Sequence, residues 1–129
     1  MILSALHVYW AAGGRIGAAA ALPERNGAPL FQPGPASTLV VAGLLALAGL
    51  LVLAHAGRGP ATALPGWMVA LGAPVAAVVL LARAIGDFRY VGFFKRVRDT
   101  RFARLDTRLF SPVALLLGAA TAIVAWGRP

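Results

Sequence analysis

The chain alternates long apolar runs with a few short polar or proline-rich breaks. Residues 1–22 are apolar except for His7, Ser4 and Arg15, and predict a membrane helix over about residues 1–21. A secretory leader with Ala18-Ala19-Ala20 as its cleavage site is the alternative, but no Lys or Arg precedes the apolar run, whereas Arg15 and Arg25 follow it. That order predicts a helix starting outside the membrane and ending inside. Its apolar part is short, so the helix is expected to tilt or to continue from residues upstream of Met1.

Residues 23–35 carry four prolines and two glycines and read as a loop. Residues 36–56 form an unbroken apolar run whose length, about 31 Å as a helix, matches one hydrocarbon core. Ser37 or Thr38 is expected to cap it. Residues 65–86 predict a third span, with Trp67 at an interface, a kink at Pro74, and Arg83 one turn from the end. The pattern changes in residues 88–110. Phe94, Val97, Phe102, Leu105 and Leu109 alternate with Arg98, Arg101, Arg104 and Arg108, predicting an amphipathic helix in the interface plane, broken near Gly92. Ser111-Pro112 then reads as the start of a fourth span over about residues 110–127. The fold expected is all-α: a single membrane domain, four spans bundled together, with a basic interfacial helix between the third and fourth. Small residues predict the packing faces: Gly13 and Gly17; Ala42, Ala46 and Gly49; Ala70, Ala73, Ala77 and Ala84; Gly118 and Ala122.

Composition sharpens this picture. Of 129 residues, 60% are hydrophobic and 12% charged, about half the charged fraction of soluble domains. The net charge of +8 could suggest nucleic acid, but eight of the twelve basic residues lie between Arg83 and Pro112, flanked by apolar runs. Anionic lipid headgroups are the expected partner, and nucleic acid is not. With no cysteine, disulfides, thiolate metal sites and cysteine nucleophiles are excluded.

Topology follows from charge. With residues 87–111 in the cytoplasm, ten Lys and Arg fall inside and two, Arg58 and Arg128, outside. Both termini are then outside, in a multi-pass protein of a bacterial inner membrane.

Candidate chemistry is sparse. His7, Tyr9 and Trp10 cluster in the first span, and His7 could donate, accept or shuttle a proton. Arg83 and Asp87, at i and i+4, suit an ion pair, with Lys95, Asp99 and Asp106 further along the same segment. His7 and His55 would both fall in the outer half of the membrane, where a bis-histidine haem or metal site is conceivable; no cofactor is expected. No phosphate loop and no serine-based catalytic pattern is present. No acidic residue lies mid-membrane, which disfavours a proton-coupled exporter.

Three stretches, HVYWAAGG (7–14), ALP (21–23) and GDFRYVGFFKRVRDTRFARLDTRLFSP (86–112), resemble a family of small bacterial integral membrane proteins known only as a domain of unknown function. The resemblance covers nearly the whole chain and implies a four-span membrane protein with no assigned activity. It also implies a list of motif residues that includes His7, Tyr9, Trp10, Gly13, Gly14, Asp87, Gly92, Lys95, Thr100, Phe102, Asp106, Thr107, Ser111 and Pro112.

Two function classes remain. One is a structural or interaction bundle that binds anionic lipid and assembles with itself or a larger membrane partner. The other is a membrane enzyme or binding protein for a lipid, isoprenoid or quinone. Its catalytic candidates would be His7, Asp87 and Asp106, with Tyr9, Trp10, Arg83, Arg89, Lys95, Arg96 and Arg98 as binding candidates. Convergence of His7, Asp87 and Asp106 on one open pocket would favour the enzyme; saturation of both carboxylates by neighbouring Arg side chains, with no pocket reaching them, would count against it.

Overall fold

The computed structural model describes residues 1–58 and 63–127. They form five helices, α1 (Ile2–Ala11), α2 (Pro35–His55), α3 (Gly66–Ile85), α4 (Arg101–Leu105) and α5 (Ser111–Trp126). A short antiparallel hairpin pairs β1 (Glu24–Arg25) with β2 (Ala28–Pro29). Three helices are long and apolar enough to cross a membrane: α2, α3, and the continuous 26-residue helix from Arg101 to Trp126 that contains α4 and α5. Arg128, counted outside by the sequence, lies beyond the described residues.

α3 and α5 share the largest interface, and α2 packs on α3. Small residues sit where they meet. Ala73, Ala77 and Ala84 of α3 are buried, as are Ala114 and Gly118 of α5. A methyl group on Gly118 would press into Leu81, and one on Gly72 into Leu51. Close backbone approach through small side chains is how helices gain packing where both solvent and core are apolar. Ala70, assigned to the same stripe by spacing, is exposed.

Five expectations are corrected. The first helix ends at Ala11, not near residue 21. Gly13 takes a φ of +95°, Gly14 lies against the Tyr9 ring, and Trp10 Nε1 donates to the Ile16 carbonyl at 2.8 Å. The aromatic pair thus folds the chain back on the helix end, and Gly13 and Gly17 (φ +76°) are turn residues rather than a packing face. Residues 23–35 are not plain loop, because Asn26 and Gly27 both adopt positive φ, as a two-residue hairpin turn requires. Residues 86–100 are not helical, and the helix starts only at Arg101. Ser111-Pro112 opens α5 but does not begin a separate helix. It lies inside the continuous one, after a π-helical turn, Asp106–Phe110, whose wider ring eases the clash of a proline with the preceding turn. At the start of α2, Gly34 is the cap, and Ser37 and Thr38 both donate to its carbonyl, at 2.9 and 3.0 Å.

α1 lies antiparallel on α2. The Ser4 hydroxyl donates to the Ala42 carbonyl at 2.7 Å, and Met1 reaches Gly49. One end of the molecule therefore gathers the turn after α1, the hairpin and residues 86–110. Glu24 of the hairpin accepts from the Phe102 amide at 3.1 Å across 78 residues of sequence.

Candidate functional site

The polar centre lies at the basic end, where α3, residues 86–100 and the π-helical turn meet. Asp106 is fully buried and Lys95 nearly so. Lys95 Nζ donates to Asp106 Oδ2 (2.9 Å), Thr107 Oγ1 (2.7 Å) and the Gly92 carbonyl (2.8 Å). An ammonium has three protons, so Lys95 is saturated. Asp106 Oδ1 accepts from Arg83 Nη2 at 2.7 Å, and Oδ2 also accepts from the Gly92 amide (2.8 Å) and the Ser111 hydroxyl (3.1 Å). Two cations meet one anion. Arg83 Nη1 is buried without a partner.

The π-helical turn explains how Ser111 reaches Asp106. In a regular α-helix residues five apart point about 140° away from each other. A turn closed by i to i+5 hydrogen bonds stacks them instead. Asp106 heads that turn and Ser111 follows it, with the Ser111 amide closing onto the Asp106 carbonyl.

Asp87 works on the adjacent turn. Its Oδ1 accepts from the amides of Arg89 (2.9 Å), Tyr90 (2.7 Å) and Val91 (2.9 Å). Asp106 takes the next amide, Gly92. Two carboxylates thus satisfy four successive amides. Desolvation raises the Asp87 pKa, but the bonds from Val91, Arg89 and Tyr90 outweigh it and hold the carboxyl below its ordinary value. The turn is crossed at close range. Side chains on Gly86 or Gly92 would collide with the Val91 and Ile85 carbonyls, and both glycines hold positive φ, +94° and +88°. The following residues cap α3, since the Phe93 amide donates to the Ala84 carbonyl at 2.9 Å. Phe88, with φ +62°, is projected outward beside Phe94.

The sequence-predicted residues separate into three places. Arg83 pairs with Asp106 rather than with Asp87, so the i, i+4 ion pair does not form. His7 Nδ1 lies 2.7 Å from the Leu3 carbonyl, with its ring edge-on to Trp10 at 5.0 Å. Tyr9 and Trp10 shape the turn after α1. Arg89, Arg96 and Arg98 are exposed, and Arg98 Nε donates to the Lys95 carbonyl at 3.1 Å. His7, Asp87 and Asp106 do not share a pocket: each is engaged by its own neighbours.

The two histidines are also apart. Ser4 meets α2 at Ala42, and His7 lies one turn further toward the start of α2. His55 closes α2 thirteen residues beyond Ala42, about 20 Å away along the axis. His55 Nδ1 instead lies 2.9 Å from the Val69 carbonyl. A bis-histidine haem or metal site is therefore not assembled. Among the described residues no group of three His, Asp or Glu side chains could hold a metal ion.

Periodicity could not have singled out Lys95. One signal existed, a Lys, an Asp-Thr pair and a Ser-Pro within 18 residues of an apolar chain, but only the π-helical turn makes them one cluster. A family model described as a protein of unknown function, DUF3995, matches residues 1–121. The chain belongs to that family. The matched region takes in α1, the hairpin, the polar centre and most of α5. No curated protein and no solved structure matches the chain.

Proposed function

We propose that this DUF3995 member is a structural or interaction protein of the bacterial inner membrane. α2, α3 and the helix from Arg101 to Trp126 cross the bilayer, and α1 is a fourth, shorter helix embedded beside α2. The basic end, residues 87–111 included, lies on the cytoplasmic face, with the N-terminal end of α1 directed outward and the C-terminus outside.

One observation carries this reading. The chain satisfies its own buried charged pair: every proton of Lys95 and both oxygens of Asp106 are bonded to neighbours, and among the described residues Arg83 Nη1 is the buried side-chain donor left open. A brace needs such closure, whereas a catalytic acid or base needs reach to a substrate. Around the brace six arginines, Arg89, Arg96, Arg98, Arg101, Arg104 and Arg108, stay exposed, each worth about 1 kcal/mol of attraction to an anionic leaflet. An interfacial surface formed by these side chains replaces the longer amphipathic helix expected from spacing. It leaves Phe88 and Phe94, both more than half exposed, free to enter the headgroup layer.

The chain has no cysteine, so single cysteines report topology directly. A membrane-impermeant maleimide on intact cells is expected to label Ala56→Cys and spare Ala28→Cys until the cells are opened. Labelling in the opposite sense would reverse the orientation and end the anionic-leaflet reading. Native mass spectrometry is expected to retain phosphatidylglycerol on the wild type and lose it when Arg89, Arg96 and Arg98 become Gln.

A further inference from the structure

A cleft of about 490 Å³ separates the hairpin turn from the start of α4, lined by Glu24, Arg25 and Asn26 on one side and Asp99, Thr100 and Arg101 on the other. Among the described residues the ion pairs are Arg83–Asp106 and Lys95–Asp106. Four charged residues of both signs therefore line one cleft, and none of them is ion-paired with another. Their roles differ. Glu24 is held in place by the Phe102 amide, which it caps. Asp99 contributes its carbonyl to Arg104 at 3.0 Å and leaves its carboxylate exposed and unpaired. Arg25 and Arg101 are exposed as well.

The position of Arg101 is informative. It opens α4, whose Phe102 amide is already capped by the Glu24 carboxylate, so Arg101 itself is the cation this side of the cleft offers. Arg25 and Arg101, both exposed and on opposite sides of the cleft, are the two cations available to an anion there, because the Glu24 carboxylate is engaged by the Phe102 amide. The free carboxylate of Asp99 beside Arg101 suits a cation. The cleft is complementary to a small zwitterion with its charges close together.

We propose that this cleft binds a phosphoethanolamine group, its phosphate on Arg25 and Arg101 and its ammonium on Asp99. The ammonium can donate hydrogen bonds to the carboxylate, which a trimethylated choline cannot. The source is either the headgroup of a membrane phospholipid or a free phosphoethanolamine. The proposal draws on the membrane reading in placing the cleft at the headgroup layer.

The test is binding to the full chain in detergent, by isothermal titration with dihexanoyl phosphatidylethanolamine, phosphatidylcholine and phosphatidylglycerol, and with free phosphoethanolamine. The ethanolamine lipid is expected to bind about tenfold tighter than the other two, the size of one charge-assisted hydrogen bond. Asp99→Asn is expected to erase that preference over choline. Arg25→Gln and Arg101→Gln are each expected to weaken all three lipids about tenfold. These side chains are exposed and outside the brace, so the variants keep the fold, as circular dichroism will report. Binding of free phosphoethanolamine with the same sensitivity to the variants marks a soluble ligand; its absence beside lipid binding marks a headgroup. Equal affinity for ethanolamine and choline lipids, tightest binding of phosphatidylglycerol, or a preference that survives Asp99→Asn overturns the proposal. Because the titration is independent of orientation, its failure is distinct from failure of the cysteine-labelling result.

Discussion

Lys95 and Asp106, eleven residues apart, meet at 2.9 Å with both side chains almost wholly buried. One comes from an irregular stretch and the other from a distorted helix. Loss of Asp106 would strand the buried Lys95 ammonium in a low-dielectric setting, whereas loss of Lys95 would leave Asp106 paired with Arg83 alone.

Asp106→Asn is therefore expected to cost about 3–5 kcal/mol, the usual result of removing one partner of a buried pair. Thermal or denaturant unfolding in detergent measures it. The double variant Lys95→Met/Asp106→Leu is expected to be less damaging than the sum of its single changes, because the fully buried ammonium leaves together with its carboxylate and only Arg83, whose side chain is 35% exposed, loses an ionic partner. An Asp106→Asn protein within about 0.5 kcal/mol of wild type would remove the brace from the account.

Gly86 and Gly92 cross at a distance that admits no side chain and hold positive φ. Gly92→Ala is expected to lose about 2–4 kcal/mol through strain and collision. Gly43, within α2 and with open space around its α-carbon, is the control: Gly43→Ala is expected to gain about 0.5–1 kcal/mol from helix propensity. Equal effects at both positions would mean that the crossing is not tight.

Asp87 supplies the pH dependence. Its folded pKa is held below the ordinary carboxyl value, so the stabilisation is present above the unfolded pKa and disappears as pH falls through the lower folded one. Hydrogen-exchange protection of the Arg89, Tyr90 and Val91 amides is expected to be flat from neutrality to about pH 4 and to fall below it. Asp87→Asn is expected to show lower protection with no such step.

Glu24 joins the first loop to the distant helix start. Glu24→Ala is expected to cost about 0.5–2 kcal/mol, the range of a lost helix cap, and to speed trypsin cleavage after the exposed Arg25. Glu24→Gln keeps an acceptor oxygen and is expected to behave nearly as wild type. Cleavage unchanged in Glu24→Ala would show that the hairpin is held by other contacts.

The turn after α1 rests on two aromatic residues. Trp10→Phe removes the Nε1 bond to the Ile16 carbonyl and is expected to cost about 1 kcal/mol. His7→Ala is expected to stay within about 1–2 kcal/mol of wild type, since it loses one hydrogen bond and one edge-on ring contact. A phenotype from His7→Ala in stably folded protein would revive a chemical role for the imidazole.

The apolar runs determined the long helices by themselves. Residues 36–56 and 65–86 were predicted, and Pro35–His55 and Gly66–Ile85 form, because a run of that length and hydropathy can satisfy its backbone in lipid only as a helix. The charge imbalance between the two ends was equally legible, being a property of order along the chain. Tertiary structure decided what happens wherever the backbone leaves regular helix. The aromatic ring of Tyr9 ends α1 early, two glycines let residues 86 and 92 cross, and a π-helical turn carries Ser111 under Asp106. Periodicity assumes a constant rotation per residue. Where that rotation changes, the partner of Arg83 becomes Asp106 instead of Asp87, and only the folded chain shows it.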